Sequence, residues 1–82
     1  MKYNTKLLTL NYLAELEEHG RFCEIVTYIL YSNGINITES SRLYMSSVTR
    51  GCLKNLIKSG MVEQPSRGKY QLTAKGRQSY KV

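Results

Sequence analysis

Ser47-Val48-Thr49-Arg50-Gly51-Cys52-Leu53-Lys54-Asn55-Leu56-Ile57-Lys58-Ser59-Gly60-Met61-Val62 is the stretch on which the reading of this chain turns. At about 100° per residue, with Val48 at zero, Val48, Thr49, Cys52, Leu53, Leu56 and Ile57 fall between roughly 0° and 180°. Arg50, Lys54 and Lys58 fall near about 200°, 240° and 280°, with Ser47 at about 260° and Gly51 at about 300°. One side is apolar, and the other carries three cations and no acid. The spacing predicts a helix over 47–59, capped by Ser46 or Ser47 and stopped by Gly60.

Solvated helix faces usually interleave opposite charges, because acid–base pairs four residues apart stabilise a helix by about 0.2–0.5 kcal/mol. Like charges at that spacing repel at similar cost. Three cations with no acid therefore imply an anion outside the chain, against the plainer alternative of a solvated face. Gly51 inside the helix costs about 1 kcal/mol relative to alanine. Close approach of the backbone to DNA accounts for it, and so does close packing on another helix. A helix over 47–59 is about 20 Å long, and the major groove admits such a rod.

Downstream, Met61-Val62-Glu63-Gln64 reads as a strand, Pro65-Ser66-Arg67-Gly68 as a turn and Lys69-Tyr70-Gln71-Leu72 as the returning strand. Thr73 can cap a last short helix over 74–80. Upstream, Thr38 can cap a short polar helix over 38–43. Residues 21–32 set Phe22, Ile25, Val26, Ile29 and Leu30 on one face, closed by Asn33-Gly34, and make the central helix of the core. Residues 5–18 repeat Leu7, Leu10, Leu13 and Leu16 at helical spacing, with Leu8 and Tyr12 beside them. His19-Gly20 ends that helix, with Gly20 free to turn left-handed. Tyr12 and Tyr70 fall on apolar faces and belong to the core; Tyr28 and Tyr31 lie off theirs.

The run from Ser47 to Val62 resembles the recognition helix and first wing strand of winged helix-turn-helix regulators, through Leu53, Leu56, Gly60, Met61 and Val62. Tyr70, Leu72, Thr73, Lys75 and Gly76 are similar to the hairpin exit of MarR-like and PadR-like regulators. Together these cover about residues 21–77. The resemblance implies a mainly α fold with a small β-hairpin: a three-helix core, a two-stranded wing over 62–72, an extra N-terminal helix and a short C-terminal one. It implies that helix 47–59 enters the major groove of double-stranded DNA, with Ser47, Arg50, Gly51 and Lys54 facing the groove. Arg67 and Lys69 belong to the wing tip, on backbone or minor groove. Arg50 can take a guanine bidentately, whereas Lys54 and Lys58 suit phosphates equally well.

The charge distribution points the same way. The chain has 82 residues and a net charge of +6. Residues 41–82 carry nine basic residues against Glu63 alone, a balance of +8, and residues 1–40 carry three against five acids, a balance of −2. That asymmetry favours a polyanionic partner for the C-terminal half. A single domain of this size is expected to be a transcriptional regulator working in the cytoplasm without a cofactor or small-molecule ligand. The alternatives are a winged-helix module that binds an acidic protein, and an accessory factor of replication or recombination.

Cys23 and Cys52 form no CxxC pair and read as two buried free thiols. With His19 the one histidine, a zinc site lacks ligands. No apolar run reaches the roughly 18 residues of a membrane span, and the start of the chain lacks a signal-peptide cleavage site. Without a catalytic grouping, an enzyme has no candidate mechanism. Glu15, Glu17 and Glu18 crowd the C-terminal end of the first helix, where the dipole disfavours acids. Its leucine stripe either folds onto its own core or pairs with a symmetry mate. The twofold homodimer is the favoured expectation, on the premise that residues 21–77 close a core by themselves.

Overall fold

Leu10 and Leu13 lie one turn apart on helix α1 (Thr5–Glu15) and both are buried. They meet Ile25, Val26, Ile29 and Leu30 of α2 (Phe22–Ser32), and Met45, Leu53 and Leu56 of α3 (Glu39–Lys58), in one apolar cluster. Val62 and Leu72 close that cluster from a hairpin of β2 (Val62–Ser66) and β3 (Lys69–Leu72). A two-residue strand, β1 (Gly20–Arg21), and a last helix, α4 (Ala74–Tyr80), complete the order α1-β1-α2-α3-β2-β3-α4. These elements come from a computed structural model, which describes residues 3–16 and 19–80. The described chain is mainly helical with one small antiparallel sheet of order β1-β3-β2.

The two helices expected over 38–43 and 47–59 are a single helix. Met45, Thr49, Leu53 and Leu56 are spaced four, four and three residues apart, so one buried stripe runs unbroken past the expected turn. Ser46 and Ser47, read as caps because serine competes with the helix for backbone hydrogen bonds, sit in the helix interior. Burial of Met45 before them and Leu53 after them, on one stripe, outweighs that local preference. The cap is Thr38, whose Oγ1 accepts from Ser41 N at 3.1 Å while Thr38 N donates to Ser41 Oγ at 2.8 Å.

The N-terminal helix contributes to the core. Leu10 and Leu13 lie inside the cluster, and Leu8, Tyr12 and Leu16 pack against it. Leu7 alone among the stripe is exposed, at 54%. Most of the apolar stripe offered above to a symmetry mate thus packs within the chain, and the core draws on α1 as well as on residues 21–77. The helix is also shorter than 5–18, and Glu17 and Glu18 lie outside the described residues.

Gly20 is a strand residue, not a left-handed cap. A Cβ there would come within 2.9 Å of both Leu13 and Leu16, so the glycine serves close packing of β1 on α1. The third strand escapes a sequence reading because two residues carry no periodicity. Its register is Gly20 opposite Tyr70 and Arg21 opposite Lys69. On the other side of β3, Val62 pairs with Leu72 and Glu63 with Gln71, and the ladder is irregular between Glu63 and Ser66, where Pro65 has no N–H to donate. Gly68 turns the hairpin at φ 77°, a conformation that costs a side chain-bearing residue.

Asn33 and Gly60 end α2 and α3 as expected. Thr73 caps α4 by accepting from Gly76 N at 3.0 Å. Tyr12 and Tyr70 pack on the core, Tyr12 with its ring centroid 5.1 Å from that of Tyr28, while Tyr31 is exposed. The cysteines are free but not buried as expected: Cys23 is exposed and Cys52 half-buried. Among the described residues no helix is long and apolar enough to cross a membrane.

Because Leu13 lies in the shared core, Leu13→Ala should cost about 2–5 kcal/mol of unfolding free energy. Urea denaturation followed by circular dichroism measures it. A loss under about 1 kcal/mol would return α1 to a peripheral role.

Candidate nucleic-acid interface

With Met45, Thr49, Leu53 and Leu56 turned inward, the opposite side of α3 is committed to the outside. Ser47, Arg50, Gly51, Lys54 and Lys58 are all exposed there. They form one outward face on a helix about 30 Å long, longer than the 47–59 segment.

Arg50 does not wave freely from this face. Its guanidinium lies over the ring of Phe22, 5.2 Å from the centroid. Such a contact contributes about 0.5–1 kcal/mol at an exposed site. It uses the plane of the guanidinium and leaves the edge, with its fork of N–H donors, for an acceptor. Phe22 is in turn fixed from two directions. Its backbone N donates to Gly68 O at 2.9 Å, and its ring lies 6.3 Å from that of Tyr70. The first residue of α2 therefore joins the middle of α3 to the hairpin.

That joint fastens the hairpin turn, which carries cations, to the start of α2. Arg67 is exposed at the turn, and Lys69, half-buried, stands opposite Arg21 in the ladder between β1 and β3. Residues opposed in an antiparallel ladder point to the same face, and like charges so placed destabilise the pair. Arg21 sits there although its backbone N is tied to Glu24 Oε1 at 3.1 Å. Arg21 was not singled out from the sequence. No local signal marks it, because its neighbour Lys69 is reached only through the sheet.

The expected site residues thus divide. Ser47, Arg50 and Lys54 share the outer face of α3, and Arg67 and Lys69 flank Gly68, whose carbonyl oxygen accepts from Phe22 N. Lys58 lies in the last turn of α3, where the helix dipole stabilises a cation without any partner. Gly51 is decided more sharply. Nothing lies within 4 Å of where its Cβ would stand, so packing on another helix among the described residues does not account for the glycine.

Other chemistry is sparse. Among the described residues no group of three or more His, Cys, Asp or Glu side chains is placed to hold a metal ion. Burial pushes the Cys52 thiol up, with the Lys6 charge pulling the other way, so Cys52 stays a neutral thiol. The chain matches no protein-family model, no curated protein and no solved structure.

Since the space around Gly51 is open, Gly51→Ala should stabilise the fold by up to about 1 kcal/mol through helix propensity alone. Thermal unfolding should then rise by roughly 4–8 °C. A lower melting temperature would mean that the glycine serves a contact inside the chain.

Proposed function

We propose that this protein is a sequence-specific DNA-binding regulator of the winged helix-turn-helix kind. The observation that carries the reading is the link that Phe22 makes between cation-bearing elements. Arg50, one turn from Lys54, stands over Phe22, which follows Arg21 and whose N–H is bonded to Gly68 O between Arg67 and Lys69. Both like-charge arrangements cost stability in the free protein, and both costs fall when phosphates lie against them.

In this reading α1, α2 and α3 are the three core helices, and β2 with β3 is the wing. The turn over 33–38, with Gly34 at its start, separates the two helices of the helix-turn-helix. α3 lies in the major groove, with residues of its outer face against base edges, and α2 crosses the backbone. Arg50 presents two N–H groups to a guanine edge from its seat on Phe22, while Lys54 meets phosphate. The exposed hairpin tip at Arg67 follows the adjacent backbone or minor groove.

The reading makes binding electrostatic. With about five phosphates neutralised, log K should fall against log salt with a slope of roughly −4 to −5 on random duplex. No measurable affinity at low salt, or a flat salt dependence, overturns it in favour of a module that binds an acidic protein. On a sequence selected from a random pool, Arg50→Ala should cost about 1–3 kcal/mol and relax one base pair. Arg67→Ala should weaken all sequences evenly. Equal, sequence-independent losses for both variants would remove Arg50 from the groove.

A further inference from the structure

The continuity of α3 adds two turns to its outer face, and those turns bring Leu43. It precedes Ser47 by four residues, Arg50 by seven and Lys54 by eleven, spacings that return to one side of a helix. Leu43 is 69% exposed and takes no part in the core. Its neighbour Tyr44 is also exposed but has an account within the chain, since its ring meets that of Tyr3 edge-on at 6.0 Å between centroids. Leu43 has no such account among the described residues. A single exposed leucine on a soluble protein is ordinary; this one stands in line with the serine and the cations assigned to the groove.

On the proposal that α3 enters the major groove, the question becomes what an aliphatic side chain meets there. The floor of that groove presents hydrogen-bond donors and acceptors from every base pair and one apolar group, the 5-methyl of thymine. We infer that Leu43 is a specificity-determining residue that packs on a thymine methyl. It stands about 10 Å from Arg50 along the helix axis. That span covers about three base pairs at 3.4 Å each. The preferred site therefore carries a thymine about three base pairs from the guanine taken by Arg50. Ser47, between them, is short enough to leave both side chains access to the base edges.

The test uses the intact protein and the duplex selected from a random pool. Each thymine of that duplex is replaced singly by deoxyuridine, which removes the 5-methyl and leaves the hydrogen-bonding edge unchanged. Affinities are read by fluorescence anisotropy for the native protein and for Leu43→Ala. The native protein should lose about fourfold in affinity at one thymine, the worth of one methyl group taken out of water. Leu43→Ala should show no loss at that position. A selected duplex in which no deoxyuridine weakens binding overturns the inference while leaving the DNA reading intact. So does a penalty that persists undiminished in Leu43→Ala. Absence of duplex binding by the native protein overturns both.

Discussion

Leu13, Ile25, Ile29 and Leu53 are almost wholly withdrawn from water where three helices meet, and the rest of the molecule is arranged around that contact. Burying each such side chain contributes about 1.5–3 kcal/mol. In a chain this small the margin over conformational entropy is narrow. Removing any one helix would expose the stripes of the other two. The requirement is stronger than it first looks, because it fixes the rotation of α3 about its own axis. Once Met45, Thr49, Leu53 and Leu56 face inward, no freedom remains in which residues face out.

The sheet hangs on that arrangement by few groups. Val62 and Leu72 reach the core from the hairpin, and Gly20 lets β1 lie close against Leu13 and Leu16. Phe22 makes the remaining link, with a backbone hydrogen bond to Gly68 and a ring shared by Tyr70 and Arg50. A cation on α3 and the tip of the hairpin are thereby held by one residue. Rigid support of this sort matters for recognition, since a side chain seated before binding loses less freedom on forming its hydrogen bonds.

The cost of the outer surface is distributed rather than concentrated. Arg50, Lys54 and Lys58 repeat every four residues, Arg21 faces Lys69 across the ladder, and Gly51 weakens the helix between them. Each feature costs from a few tenths to about 1 kcal/mol. Two of them have a partial return inside the protein, Arg50 in its contact with Phe22 and Lys58 at the end of α3. Sites where local preference is set against stability are where function is to be sought.

Local chemistry was legible from the sequence alone: the apolar and cationic sides of residues 47–59, the stops at Asn33-Gly34 and Gly60, the hairpin turn, and the caps at Thr38 and Thr73. Each depends on periodicity or on one residue's preference for a turn, and both are written within a few positions. Tertiary structure decided the rest. Ser46 and Ser47 favour a helix start, and only the burial of Met45 and Leu53 against α1 and α2 carries α3 through them. The leucine stripe of α1 reads equally well as a core face or a free one until the partner surface exists. Arg21 and Leu43 joined the candidate surface for the same reason. One is brought to Lys69 by a strand too short to have a pattern, and the other is aligned with Arg50 by a helix whose continuity is enforced from the core. What lies between residues distant in the chain has no local signature, because its energy comes from burial and pairing that form only when the chain has folded.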